Sequence, residues 1–193
     1  MDWHLAIGGG AGLIAIVATI PYLRDVLRGK ARPNTVSWTI WTAVVLITAI
    51  AQISAGASWS FFLLVGSTIA NVAVLSLCIF GYGYKKFEVT DRICLSLACA
   101  ALFFWWITSN PVVAILFAVA ADGIAYVPTY VKIYREPKSD SYFYWATLVV
   151  ADVMALVSVT TFNMANILFP ISYGLFNGMI LVAAFFGKKL NKI

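Results

Sequence analysis

Asp122 and Asp152 each lie about ten residues into a long apolar run, in Val-Ala-Ala-Asp-Gly-Ile-Ala and Val-Val-Ala-Asp-Val-Met-Ala, with no Lys or Arg inside either run. An ionised carboxylate in such surroundings costs about 2.5–3.5 kcal/mol on insertion scales, so each acid either keeps its proton or faces a wet cavity. Either state suits proton coupling or recognition of a substrate amine; a buried acid satisfied by Ser, Thr or Tyr across a helix interface is the structural alternative. Asn71 and Asn177 also fall in the middle of apolar runs. An amide offers two donors and an acceptor, which suits neutral hydroxyls and amides, or polar attachment between helices. Trp41 and Trp145 can stack on a ring-shaped solute or pack helices together. Pro21 and Pro128 each remove a backbone hydrogen bond, and so act as hinges or end helices. With one histidine, His4, near the start of the chain, there are few tools for acid–base catalysis. No catalytic residues, cofactor or metal are expected: no nucleophile triad, His/Cys metal cluster, phosphate loop or dinucleotide fingerprint is present.

The elements that must hold these residues follow from composition. The chain has 193 residues, 62% hydrophobic and 11% charged, with a net charge of +5. Soluble domains carry about a quarter charged residues, so soluble globular, disordered and nucleic-acid-binding classes are set aside. Seven apolar stretches of membrane-spanning length are expected: Leu5–Leu23, Thr35–Ala55, Phe61–Gly81, Ile93–Ser109, Val112–Val131, Tyr142–Thr161 and Ile167–Gly187. All 13 Lys and Arg fall in alternate connections. Arg24, Arg28, Lys30 and Arg32 follow span 1; Lys85, Lys86 and Arg92 follow span 3; Lys132, Arg135 and Lys138 follow span 5; Lys188, Lys189 and Lys192 follow span 7. The connections around Gly56–Ser60, Asn110–Pro111 and Asn163–Asn166 carry none. The positive-inside rule then puts the N-terminus outside and the C-terminus in the cytoplasm. Trp3, Trp59, Trp105 and Trp106 fit an outer aromatic belt and Trp38 an inner one. Gln52 lines an outer vestibule or caps a loop. Cys78, Cys94 and Cys99 read as small core residues. No signal peptide is expected, and short loops favour a bacterial inner membrane.

The chain also repeats itself. Pro21 and Arg28 recur 107 positions later as Pro128 and Arg135; Pro33, Ser37 and Trp41 recur 104 later as Pro137, Ser141 and Trp145; Asn71 recurs 106 later as Asn177. The expected organisation is a first three-helix repeat over 1–84, a linker helix over 85–110 and a second repeat over 111–193. The fourth span restores parallel orientation, giving a pseudo-twofold along the membrane normal. Gly8-x-x-x-Gly12 and Gly174-x-x-x-Gly178 would permit close helix contact.

A span ending in Pro, a short basic loop, then Ser and an aromatic opening the next span, present twice, resembles the PQ-loop superfamily, which includes the SWEET sugar transporters, lysosomal amino-acid exporters and the KDEL receptor. Trp38-x-x-Trp41 is similar to a motif of PnuC-type vitamin transporters. The resemblance implies an all-α seven-helix membrane protein with Asn71 and Asn177 as the substrate-binding pair. The expected function is translocation of a small polar solute by alternating access. Trp41 and Trp145 would flank the solute, Pro21 and Pro128 would act as hinge or gate, and Asp122 and Asp152 would add proton coupling. The alternative is a non-transporting receptor or membrane assembly factor on the same scaffold. Partners are the solute and the lipid bilayer, with a homo-oligomer open and no nucleic acid.

Overall fold

The computed structural model describes residues 2–84, 89–108, 110–135 and 140–190. Lys85, Lys86, Pro137, Lys138 and Lys192 lie outside these residues. The described residues form seven α-helices: α1 (Trp3–Leu27), α2 (Thr35–Ser54), α3 (Phe61–Leu77), α4 (Val89–Thr108), α5 (Pro111–Arg135), α6 (Tyr142–Val157) and α7 (Met164–Leu190). α3 runs on into a π-helical turn, Cys78–Tyr82, in which Gly81 has φ +101.

Several helices begin at side chains that satisfy their first amide groups. Asp2 accepts from the His4 amide, Asn34 from those of Val36 and Ser37, Asn110 from Val112 and Val113, and Ser141 from Tyr144. Hydrogen bonds from the His4 ring, and then from its amide, hold the exposed Asp2 carboxyl below the usual range.

Helix lengths depart from the sequence expectations in five helices; α4 begins at Val89, four residues before the expected Ile93. α1 continues past Leu23 to Leu27, so Pro21 lies inside it and does not end it. α5 likewise runs through Pro128 to Arg135. α7 starts three residues earlier than expected and contains Pro170. α6 stops at Val157, where the Ser158 amide closes on Met154 and Ala155. Its 16 residues rise about 24 Å, short of a typical hydrocarbon core.

Among the described residues, five helices are long and apolar enough to cross a bilayer: α1, α2, α3 with its π turn, α5 over Ile115–Arg135 and α7 over Met164–Gly187; α6 is apolar but shorter. Large apolar side chains project from the outer surfaces, among them Leu13, Val17, Ile53, Phe104, Trp106 and Leu175. Exposed apolar surface on this scale fits a hydrocarbon surrounding, not water. Cys99 is exposed, which corrects its reading as a core residue; Cys78 is buried.

α1 packs on α3 and α6, α5 on α7 and α2, α2 on α3, and α6 on α7; α4 lies against α5 and α2. α1 and α3 approach closely. A Cβ on Gly12 would overlap the Phe62 carbonyl, and one on Gly66 would overlap the Gly12 backbone, so only glycine lets the two backbones come this close. The second glycine pair behaves differently: Gly178 has open space beside it, and a Cβ on Gly174 would meet the Asp152 Cβ at 3.4 Å, an ordinary contact.

Candidate functional site

Between the helices lies a central cavity to which all but α4 contribute. α1 supplies Ala15 and α2 supplies Trp38 and Trp41. α3 supplies Ser67, Ala70 and Asn71, and α5 supplies Tyr126. α6 supplies Tyr144, Trp145, Leu148 and Asp152, and α7 supplies Tyr173 and Asn177. Five residues singled out in the sequence therefore meet in one place: Asn71, Asn177, Trp41, Trp145 and Asp152. Its free volume is about 20 Å³, room for about one water.

The polar contacts are one-sided. The Tyr126 hydroxyl donates to Asn177 Oδ1 at 2.7 Å, and Asn177 Nδ2 donates to Asp152 Oδ2 at 2.8 Å. All three are buried, so the Asn177 amide is clamped between a hydroxyl and a carboxyl. Asn71 is also buried, but its amide makes no side-chain hydrogen bond among the described residues. The related pair thus differ in commitment: one amide is held and the other makes no side-chain hydrogen bond among the described residues.

Asp122 is fully buried but does not line the cavity. Neither of its oxygens has a hydrogen-bond partner among the described residues. It lies close enough to interact electrostatically with Asp152 and Tyr173. The two acids therefore differ in position: Asp152 borders the cavity and Asp122 does not.

Aromatic rings dominate the walls. Trp38 and Trp41 meet edge to face at 5.3 Å, Trp41 and Trp145 at 6.0 Å, and Tyr144 and Trp145 at 5.1 Å, within the usual range for aromatic pairs. Trp41 also contacts Tyr126 at 4.7 Å. Trp38 is 2% exposed and lines the cavity, which corrects its reading as an interfacial belt residue. Its place on the face shared by Trp41 and Tyr22 keeps it from the surface.

Hydrogen bonds join neighbouring segments toward both ends of the bundle. At the basic end, Lys132 Nζ donates to Asp140 Oδ2 at 3.1 Å and to the Arg32 carbonyl at 3.0 Å. The Trp145 indole N–H donates to Asp140 Oδ1 at 3.3 Å. One acid thus links a cavity tryptophan to a lysine bridging two loops. Nearby, Ser37 Oγ donates to the Ala125 carbonyl at 3.1 Å. At the opposite end, Gln52 Nε2 donates to the Ala165 carbonyl at 2.8 Å, so Gln52 fastens helix to helix and lines no vestibule. Asn166 Nδ2 donates to the Gly56 and Thr161 carbonyls, and its Oδ1 accepts from the Ser58 amide.

Pro21 is exposed. It borders a lipid-side groove between α1 and α6 with Leu13, Val17 and Phe143, away from the cavity. The side chains of Pro128, Cys94 and Trp105 lie outside the described residues. The sequence reading missed Tyr126, Tyr144 and Tyr173. Spacing held the signal for two of them: Tyr126 is four residues after Asp122 and Tyr173 four before Asn177, which puts each on its partner's helix face. Comparison of the chain with protein-family models, curated proteins and solved structures finds no match.

Proposed function

We propose that this chain is an integral membrane transporter that moves a small polar solute by alternating access between two three-helix repeats, α1–α3 and α5–α7, with α4 as the linker. The observation that carries the reading is the central cavity, lined by residues of both halves, with the halves joined by hydrogen bonds from Gln52 to Ala165 and from Lys132 to Arg32. The packing pattern supports the repeat. Exchanging α1, α2 and α3 for α5, α6 and α7 returns the same neighbours: α1–α3 becomes α5–α7, and α1–α6 becomes α5–α2. A binding site on such an axis can be exposed to either face by rocking the halves.

In this reading Asn71 and Asn177 hold the solute, and Trp41 and Trp145 flank it. Pro21 and Pro128, each inside a helix that crosses from one half's packing to the other's, give points where α1 and α5 can bend. Asp152 takes up or releases a proton at the cavity, with Asp122 and Tyr126 of α5, Tyr144 of α6 and Tyr173 of α7 as the titratable groups around it. The basic ends face the cytoplasm by the charge rule, which sets the N-terminus outside and suits a bacterial plasma membrane.

Accessibility tests the proposal. Cys78, Cys94 and Cys99 are replaced by Ser or Ala, and a single cysteine is placed at Ser67 beside the cavity. A transporter is labelled there by an impermeant thiol reagent applied from either side of right-side-out and inverted vesicles. Labelling from one side alone would favour the receptor or assembly-factor reading.

A further inference from the structure

We infer that the solute is an organic cation, a compact amine or quaternary ammonium, seated between Asp152 and the aromatic walls; this rests on the transporter reading above. Asp152 brings a carboxyl to the lining, and no Lys, Arg or His accompanies it among the described residues there. The chain has none to spare: its 13 Lys and Arg flank the apolar runs and its single His is His4. Asp152 Oδ2 is engaged by Asn177, while Oδ1 takes no hydrogen bond among the described residues. A buried carboxyl with an unengaged oxygen and no cation of its own chain to face is complementary to a positive charge brought by a ligand.

The rest of the lining agrees. Three tryptophans and three tyrosines border the cavity, and the faces of such rings attract cations and repel anions. Hydrogen-bonding capacity is scarce: the Asn177 amide is already spent on Tyr126 and Asp152, which leaves Asn71 and Ser67 as the unspent amide and hydroxyl beside the tyrosines. A sugar needs more partners than this. The repeat spacings pair Asp122 with Ala15, Tyr173 with Ser67 and Asp152 with Thr48. At these positions the second half carries carboxyls and a ring where the first half carries small side chains, while Trp38 and Trp41 of the first half add aromatic wall. This asymmetry gives the site a negative wall and, opposite it, the side on which a ligand body can sit. With about 20 Å³ free in the closed form, the ligand must be compact and the rings must part to admit it.

The test uses the purified full-length chain in detergent and phenyltrimethylammonium as the probe, with benzyl alcohol, benzoate and D-glucose as neutral, anionic and polyhydroxyl counterparts. Trp38, Trp41 and Trp145 report binding by their fluorescence. The expected result is saturable quenching by phenyltrimethylammonium and none by the other three at equal concentration. Asp152→Asn should weaken the cation by at least about tenfold, as loss of a buried charge partner does, and Asp152→Glu should recover most of that loss. Circular dichroism and a monodisperse elution profile establish that both variants fold. Absence of saturable cation binding, equal binding of a neutral or anionic probe, or an unchanged affinity in Asp152→Asn overturns the inference. Uptake of radiolabelled phenyltrimethylammonium and D-glucose into proteoliposomes separates it from the transport reading. Cation binding without flux of either compound keeps the ligand class and removes transport. Glucose flux without cation binding does the reverse.

Discussion

Asn71 and Asn177 occupy matching positions in the two halves of the chain, yet their surroundings make opposite demands. Removing the Asn177 amide strands the Tyr126 hydroxyl and Asp152 Oδ2, both buried. Each unsatisfied group costs about 1–3 kcal/mol. Asn177→Ala should therefore lower thermal stability markedly as well as abolish ligand binding. Asn71→Ala breaks no side-chain hydrogen bond among the described residues, so it should cost far less stability and still abolish binding. Melting curves of the two variants, with and without ligand, check this; equal destabilisation would make Asn71 a packing residue. Trp145 makes a similar point. Its ring borders the cavity and its N–H reaches Asp140. Trp145→Phe keeps most of the ring but loses the tie to the Lys132 bridge, so labelling of a cysteine at Ser67 from the basic side should rise.

At the scale of elements, the α1–α3 contact is the most demanding piece of packing. Gly12 and Gly66 meet backbone to backbone, and neither backbone can yield to a Cβ without the helices separating. Gly66→Ala should destabilise the protein by about 1–3 kcal/mol, the usual range for overpacking. Gly178→Ala, with open space around it, should be close to neutral. Comparing the two in detergent melts tests whether the first glycine motif is an interface and the second is not. Gln52 is the element-scale counterpart at the other end. Gln52→Ala leaves the buried Ala165 carbonyl without the amide it accepts from, and should loosen α2 from the start of α7.

For the whole molecule, the two ends must open in turn if the cavity is to pass a solute. Ser58 Oγ and Thr160 Oγ1 are 3.2 Å apart, from loops about a hundred residues apart in sequence. A disulfide between cysteines at these positions would fasten the neutral end. Uptake into proteoliposomes should stop on oxidation and return on reduction, while labelling at Ser67 from the basic side should survive. Transport that continues through the oxidised form would show that this end need not move.

Much of this organisation was legible in the residues. Apolar runs located the helices, because an uninterrupted apolar stretch has few other conformations in lipid. The repeat spacing picked out Asn71, Asn177, Trp41 and Trp145, and the cost of a lone carboxylate picked out Asp152 and Asp122. Tertiary structure alone decided the rest. Trp38 is a wall of the cavity and not a belt residue because α1 and α6 cover its helix face with Tyr22 and Tyr144. Asp152 borders the cavity while Asp122, on the α5 face that carries Tyr126, does not, a difference that spacing along the helix could not show. The Lys132–Arg32 bond and the Asn166 clasp on Ser58 and Gly56 join segments brought together only by packing. Local propensity and hydropathy act over a few residues and so can be read along the chain. Which helix faces meet depends on how side chains from several helices fill one volume, and no short stretch of the chain contains that information.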